Sequence, residues 1–202
     1  FYSKESFDIL ITMNNIYDQN SDYSNLKDKL RTNNIINLNL KQSYCIAESF
    51  SSFTITNVSI PIKRLDFDKE GYSYFAIGIN GLVGGHSAFD LDKVRSNAIK
   101  SLMSFVRMIK SKVDLEILSF DGGNRYDYIP TSAKVELAVK NDYVNDLLKT
   151  FEVSKNQFLE KNLKLEPNLD IYIDQLDFLN YLVMDLESYD HMSSFIELAI
   201  NG

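Results

Sequence analysis

The 202 residues are 45% hydrophobic and 12% aromatic, with eight glycines and three prolines, a composition that can bury a real core and argues against a long linker. A formal charge of −7 without a basic stripe weighs against nonspecific nucleic-acid binding, and no apolar run reaches the ~18 residues of a membrane span, so neither nucleic acid nor membrane is an expected partner. The single Cys45 excludes an internal disulfide and fits a reducing, cytoplasmic setting. Phe1 opens no signal peptide, and a first residue other than methionine is what a trimmed chain or a fragment would have.

In chain order, residues 7–12 read as a buried strand, 26–30 as a short helix and 35–38 as a second strand. This is a β-α-β piece of an α/β sheet whose strand ends lie near Met13 and Asn39, where open sheets of this kind carry ligands. From Tyr44 the pattern changes to α+β. Phe53, Ile55, Val58, Ile60 and Ile62 signal a strand, with Pro61 marking an edge or bulge. Residues 72–80 are a strand, and Val94, Ala98, Leu102, Phe105, Val106 and Ile109 recur at helical spacing. The spacing predicts a helix over 90–110, capped by Asp90 or Asp92. Alternation at Val113, Leu115 and Ile117, and again at Val135, Leu137 and Val139, predicts two strands flanking the turn Asp121-Gly122-Gly123. Asp142 is placed to cap a helix with apolar face Val144, Leu147, Leu148, Phe151 and Phe158. Leu169, Ile171 and Ile173 suggest a short strand, and Leu176, Leu179, Leu182, Val183 and Leu186 a final helix. The expected fold is an α/β N-terminal piece followed by an α+β domain, an antiparallel sheet with helices on one face.

The chemistry concentrates between the 72–80 strand and the following helix, where Gly84-Gly85-His86-Ser87 places a histidine in a tight turn. Two glycines relieve crowding there, and a helix start offers free amides to an anion or a polarised carbonyl. The other histidine, His191, forms no metal-ligand spacing with His86. Cys45 reads as a small core residue, having only a distant histidine to activate it.

The stretch Gly84-Gly85-His86-Ser87-Ala88 resembles the Gly-Gly-His-Ser-Gly turn of the aminoacyl-histidine (Xaa-His) dipeptidases, two-zinc peptidases that cleave dipeptides such as carnosine. Ile36-Asn37-Leu38-Asn39 resembles the family's Ile-Asn-Leu-Asp strand end. Asp121-Gly122-Gly123-Asn124-Arg125-Tyr126-Asp127-Tyr128-Ile129-Pro130 resembles its Asp-Gly-Gly-Asn-Leu-Arg-Asn-Ala-Ile-Pro segment. The likeness runs from about Phe7 to about Ser193 and covers the middle of a family member. It implies that 1–43 are a remnant of an α/β zinc-peptidase catalytic domain and that 44–202 are a lid-like α+β domain of β-α-β-β-α type, incomplete at its C-terminal end. It further implies that His86 matches a lid histidine that polarises the scissile carbonyl. The alternative is that His86 bonds the backbone of its own turn. Asn124, Arg125 and Asp127 fall in the loop that holds the substrate's carboxylate end.

The acids that the family uses for zinc and for general-base work have no counterpart here: Asn15 and Asn39 stand where carboxylates are expected. A neutral amide accepts no proton from water and adds no negative charge to attract metal. No metal ligand set and no cofactor are therefore expected of this chain, although the resembled family uses zinc. The reading that follows is a catalytically inactive, degenerate homologue or fragment acting as a structural or binding subunit. The alternatives are a segment of a functional zinc-dependent dipeptidase whose other parts lie outside this chain, and a regulatory subunit of an active relative. The expected partner is protein, as a homo-oligomer or with another subunit.

Overall fold

The computed structural model describes residues 56–67, 70–87, 90, 92–177 and 182–200. The chain divides between Ile55 and Thr56, and all described residues belong to the second unit. The expectations for 7–12, 26–30 and 35–38, and those for Asn15, Asn39 and Cys45, lie outside the described residues. The elements are β1 (Arg64–Leu65), β2 (Tyr72–Asn80), β3 (Gly85–His86), α1 (Ala98–Lys110), β4 (Glu116–Gly122), β5 (Tyr128–Ile129), β6 (Ala133–Lys140), α2 (Val144–Asn162), β7 (Asp170–Leu176), β8 (Val183–Met184) and α3 (Leu186–Leu198). No helix among the described residues is long and apolar enough to cross a membrane.

Four strands form one antiparallel sheet in the order β4-β6-β2-β7. Period-2 alternation sends Phe75, Ile77 and Ile79 of β2 to one face, opposite Leu137, Val135 and Ala133 of β6, and Ile79 also faces Ile171 of β7. That face packs under α1 and α2 through Leu102, Phe105, Val106, Ile109, Leu147 and Phe151, all at most 1% exposed. Phe105 meets Phe151 and Phe158 edge-on, each with ring centroids 5.6 Å apart. Burial of each such side chain contributes about 1.5–3 kcal/mol, so this layer is the main source of stability. On the opposite face Tyr74, Leu118, Ala138 and Val183 form a smaller cluster, joined by Phe67, Tyr72 and Leu176. The expected antiparallel sheet with helices is thus the observed architecture.

Several local expectations give way. The first helix starts at Ala98, not near 90, because Asn97 caps it: its side-chain oxygen accepts from Ile99 N at 3.0 Å and Lys100 N at 3.4 Å. Asp90 does not cap it, since its carboxylate is taken by His86 N and Lys93 Nζ, and Val94 is 76% exposed. Asp142 lies in a 3-10 turn (Asn141–Tyr143) and makes no side-chain cap for α2, on which Leu148 is exposed, not core-facing. The described part of the 53–62 strand is unpaired up to Arg64; Val58 and Ile62 are exposed, and Pro61 lacks an amide donor. Val113 and Leu115 are buried but precede β4, which continues through Asp121 and Gly122 with a register shift between Ile117 and Ser119. The final helix over 176–186 is also corrected. Leu176 ends β7, Val183–Met184 pairs with β1, and α3 begins only after Asp185, whose carboxylate accepts from Ser188 N at 2.9 Å.

Candidate functional site

β3 and β5 are too short to stand alone. They form a two-stranded ribbon pairing Gly85 with Ile129 and His86 with Tyr128, so the histidine turn and the 124–130 loop become one structure. Ser87 N donates to Asp127 O at 2.9 Å and extends the ribbon. Ala98 N donates to Pro130 O at 3.0 Å, which ties the loop to the first turn of α1. The two glycines have a measurable reason. A Cβ on Gly84, at φ +62°, would stand 2.4 Å from Thr131 Cγ2, and one on Gly85 would stand 2.7 Å from Asp90 Cβ. That close approach lets the Asp90 carboxylate accept from His86 N at 2.7 Å while Asp90 N donates to His86 O at 2.9 Å.

The side chains assemble around Asp127. Arg125 grips its carboxylate in two bonds, Nε to Oδ1 at 2.8 Å and Nη2 to Oδ2 at 2.6 Å. His86 Nε2 stands 3.7 Å from Asp127 Oδ2, and the imidazole meets the Tyr128 ring edge-on with centroids 5.6 Å apart. Arg125 also lies over the Tyr128 ring at 4.7 Å. The Arg125 hydrogen bond holds the Asp127 carboxyl below its usual range, and the same bond raises the guanidinium's own value. Asp90 is likewise lowered, chiefly by its bond to Lys93. The arrangement brings three of the predicted residues, His86, Arg125 and Asp127, into one cluster and adds Tyr128. Arg125 commits its Nε/Nη2 edge to a neighbouring carboxylate, so that edge is taken when an external anion approaches.

Asn124 falls elsewhere. It lines an open cleft of about 220 Å³ at the end of the sheet, with Asn80, Asp121, Ser132, Lys134 and Tyr172. Another group bears on the turn without having been expected: Glu166, 1% exposed, whose carboxylate accepts from Val83 N and Ser96 N. Nothing in the sequence marks it, since it follows a helix end and precedes Pro167 with no motif around it. A zinc fit is not supported by this donor set. Among the described residues no three His, Cys, Asp or Glu side chains converge to hold a metal ion, and the Asp127 carboxylate facing the His86 imidazole is already paired with Arg125.

Residues 74–162, from β2 through α2, match the family model described as a peptidase dimerisation domain. A curated relative, the cytosol non-specific dipeptidase of Escherichia coli (strain K12), is 32% identical over 121 residues, which is 56% of this chain and 24% of that protein. Among solved structures, the aminoacylhistidine dipeptidase from Vibrio alginolyticus shares the fold with a TM-score of 0.64 at 23% identity, over 71% of this chain and 29% of that one. The chain thus spans about a quarter of the length of the curated relative it matches. Sheet, helices and these likenesses agree: residues 74–162 are similar to a peptidase dimerisation domain, and the chain resembles part of a dipeptidase, with the fold shared by the aminoacylhistidine enzyme.

Proposed function

We propose that this chain is a non-catalytic structural or binding subunit that self-associates through its dimerisation domain. The observation that carries the reading is the match over residues 74–162, joined to a His86 turn that is closed on its own Asp127–Arg125 pair. In this reading 1–43 are a remnant of a catalytic domain and 44–202 a lid-like domain. Asn15 and Asn39 contribute neither a general base nor zinc ligands. Self-association uses the outer strand β7. The carbonyl of Leu118 on the other edge strand, β4, already accepts from Arg64 at 2.6 Å, whereas β7 borders the sheet as its other outer strand.

Sedimentation of the purified chain at micromolar concentration, paired with a dipeptide-hydrolysis assay in zinc, tests both halves. A dimer without turnover of Xaa-His dipeptides is the expected result. A monomer would overturn the assembly, and zinc-dependent turnover abolished by chelator would overturn the non-catalytic role. The second reading is that the chain is a segment of a zinc-dependent Xaa-His dipeptidase whose other parts lie outside it. It is favoured by the 32% identity to a dipeptidase of which the chain covers 24%. Activity appearing only when the remaining segments are supplied would select it.

A further inference from the structure

Three segments distant in sequence meet at one carboxylate. Glu166 lies in the turn from α2 to β7, where Glu166 N donates to Asn162 O at 2.9 Å and Leu169 N donates to Glu166 O at 3.0 Å. The backbone of its carboxylate is thereby fixed. Oε2 accepts from Val83 N at 2.6 Å and Oε1 from Ser96 N at 3.0 Å. Val83 leads directly into Gly84-Gly85-His86, and Ser96 directly precedes Asn97, the cap of α1. The same approach is enforced two residues earlier, at Gly81 (φ +75°), where a Cβ would stand 1.9 Å from Asn168 O. Burying a carboxylate is strongly unfavourable unless donors meet it, so its two oxygens and these two amides hold one another in place.

We propose that Glu166 is a positioning residue: by bridging Val83 and Ser96 it sets where the His86 turn sits against the start of α1. Only a carboxylate of this length serves. Glutamine offers one acceptor oxygen and turns an amino group toward the second N–H, and aspartate is one methylene too short to span both amides. The inference concerns where the turn is held and stands whether or not the chain hydrolyses peptides.

The test is amide hydrogen exchange with NMR assignment on the full chain. Glu166→Gln is expected to lower protection of Val83 and Ser96 by roughly 10- to 100-fold, the range for hydrogen bonds to a charged acceptor, and to shift the His86 ring and Ser87 amide resonances. Ile77 and Val135, in the centre of the sheet, are expected to lose less protection than these two. Unchanged protection at Val83 and Ser96 would overturn the proposal, as would an equal loss at all four amides, which would make Glu166 a general contributor to stability. Should the variant fail to fold, the unmutated chain decides: Val83 and Ser96 must exchange at least roughly tenfold slower than unstructured chain and open with a common free energy. Exchange at unprotected or unrelated rates sinks the idea.

Discussion

Phe105→Ala tests whether the layer between sheet and helices carries the fold. The ring is fully buried on α1 and touches Phe151 and Phe158 of α2 edge-on. Truncation forfeits the transfer of an aromatic side chain and leaves a cavity, about 3–5 kcal/mol in comparable cores, of which each aromatic pair accounts for about 0.5–1.5. Against a whole stability of about 5–15 kcal/mol this is a large fraction. For a unit of this size it lowers Tm by roughly 6–20 °C. Urea unfolding followed by far-UV circular dichroism, beside a thermal scan, measures it. Leu148→Ala is the internal control, because that side chain on the same helix pair is 39% exposed and should cost under ~1 kcal/mol. A double-mutant cycle of Phe105→Leu with Phe151→Leu should return a coupling of about 0.5–1.5 kcal/mol. If Phe105→Ala costs no more than Leu148→Ala, the helix layer is peripheral and the reasoning fails.

Gly81→Ala should cost at least ~2 kcal/mol in denaturant midpoint, combining a positive φ with a backbone clash at 1.9 Å, while Gly71→Ala, with nothing within 4 Å, should be near neutral; equal effects would refute the strain argument. The Asp127 carboxyl is lowered from 3.8 by Arg125, so its folded form releases the proton more readily than the unfolded chain. Its stabilisation is therefore complete above the unfolded value and is lost as pH falls below about 4 through the depressed folded value. An acid titration should loosen the turn, read at His86 and Tyr128 resonances, and Asp127→Asn should remove that dependence; an unaltered titration curve in the variant would count against the pairing. Tyr189 buries a hydroxyl without a hydrogen-bond partner, so Tyr189→Phe should leave stability unchanged or raise it by up to ~1 kcal/mol in urea unfolding, and a clear loss would reveal a bond to that oxygen.

Where burial is periodic, the sequence is a good guide. The strand at Tyr72–Asn80 has the bounds that its aromatic and β-branched residues suggest, and alternation at Val135, Leu137 and Val139 finds β6. Boundaries set by single side-chain bonds are harder to read. Asp90, Asp92, Asn97 and Asp142 are all acceptable caps by residue type, and which one serves depends on tertiary partners such as His86 N and Lys93 that no local pattern displays. The leucine run before α3 has helical spacing, yet consecutive Val183 and Met184 are buried in different clusters, as the alternating faces of a strand place them. The candidate site divides in the same way. The glycine-histidine turn and the 124–130 loop are visible as motifs, whereas the β3–β5 ribbon that joins them, and Glu166 beneath, arise from contacts 40 to 80 residues apart.

The strand order bears on how this unit is made. β2 is the first long strand of the sheet to leave the ribosome, and it ends between β6 and β7. Both of its backbone edges stay without sheet partners until some sixty further residues supply β6 and about thirty more supply β7. During that interval a nine-residue apolar strand is exposed to other nascent chains, the situation in which intermolecular strand pairing competes with folding. α1 is made after β2 and before either flanking strand, and in the finished fold its apolar face belongs to the same core as Phe75, Ile77 and Ile79. An early β2–α1 pair would shield one face of the strand but neither of its edges, so the interval in which residues 72–176 are made is when the growing chain is most open to intermolecular strand pairing.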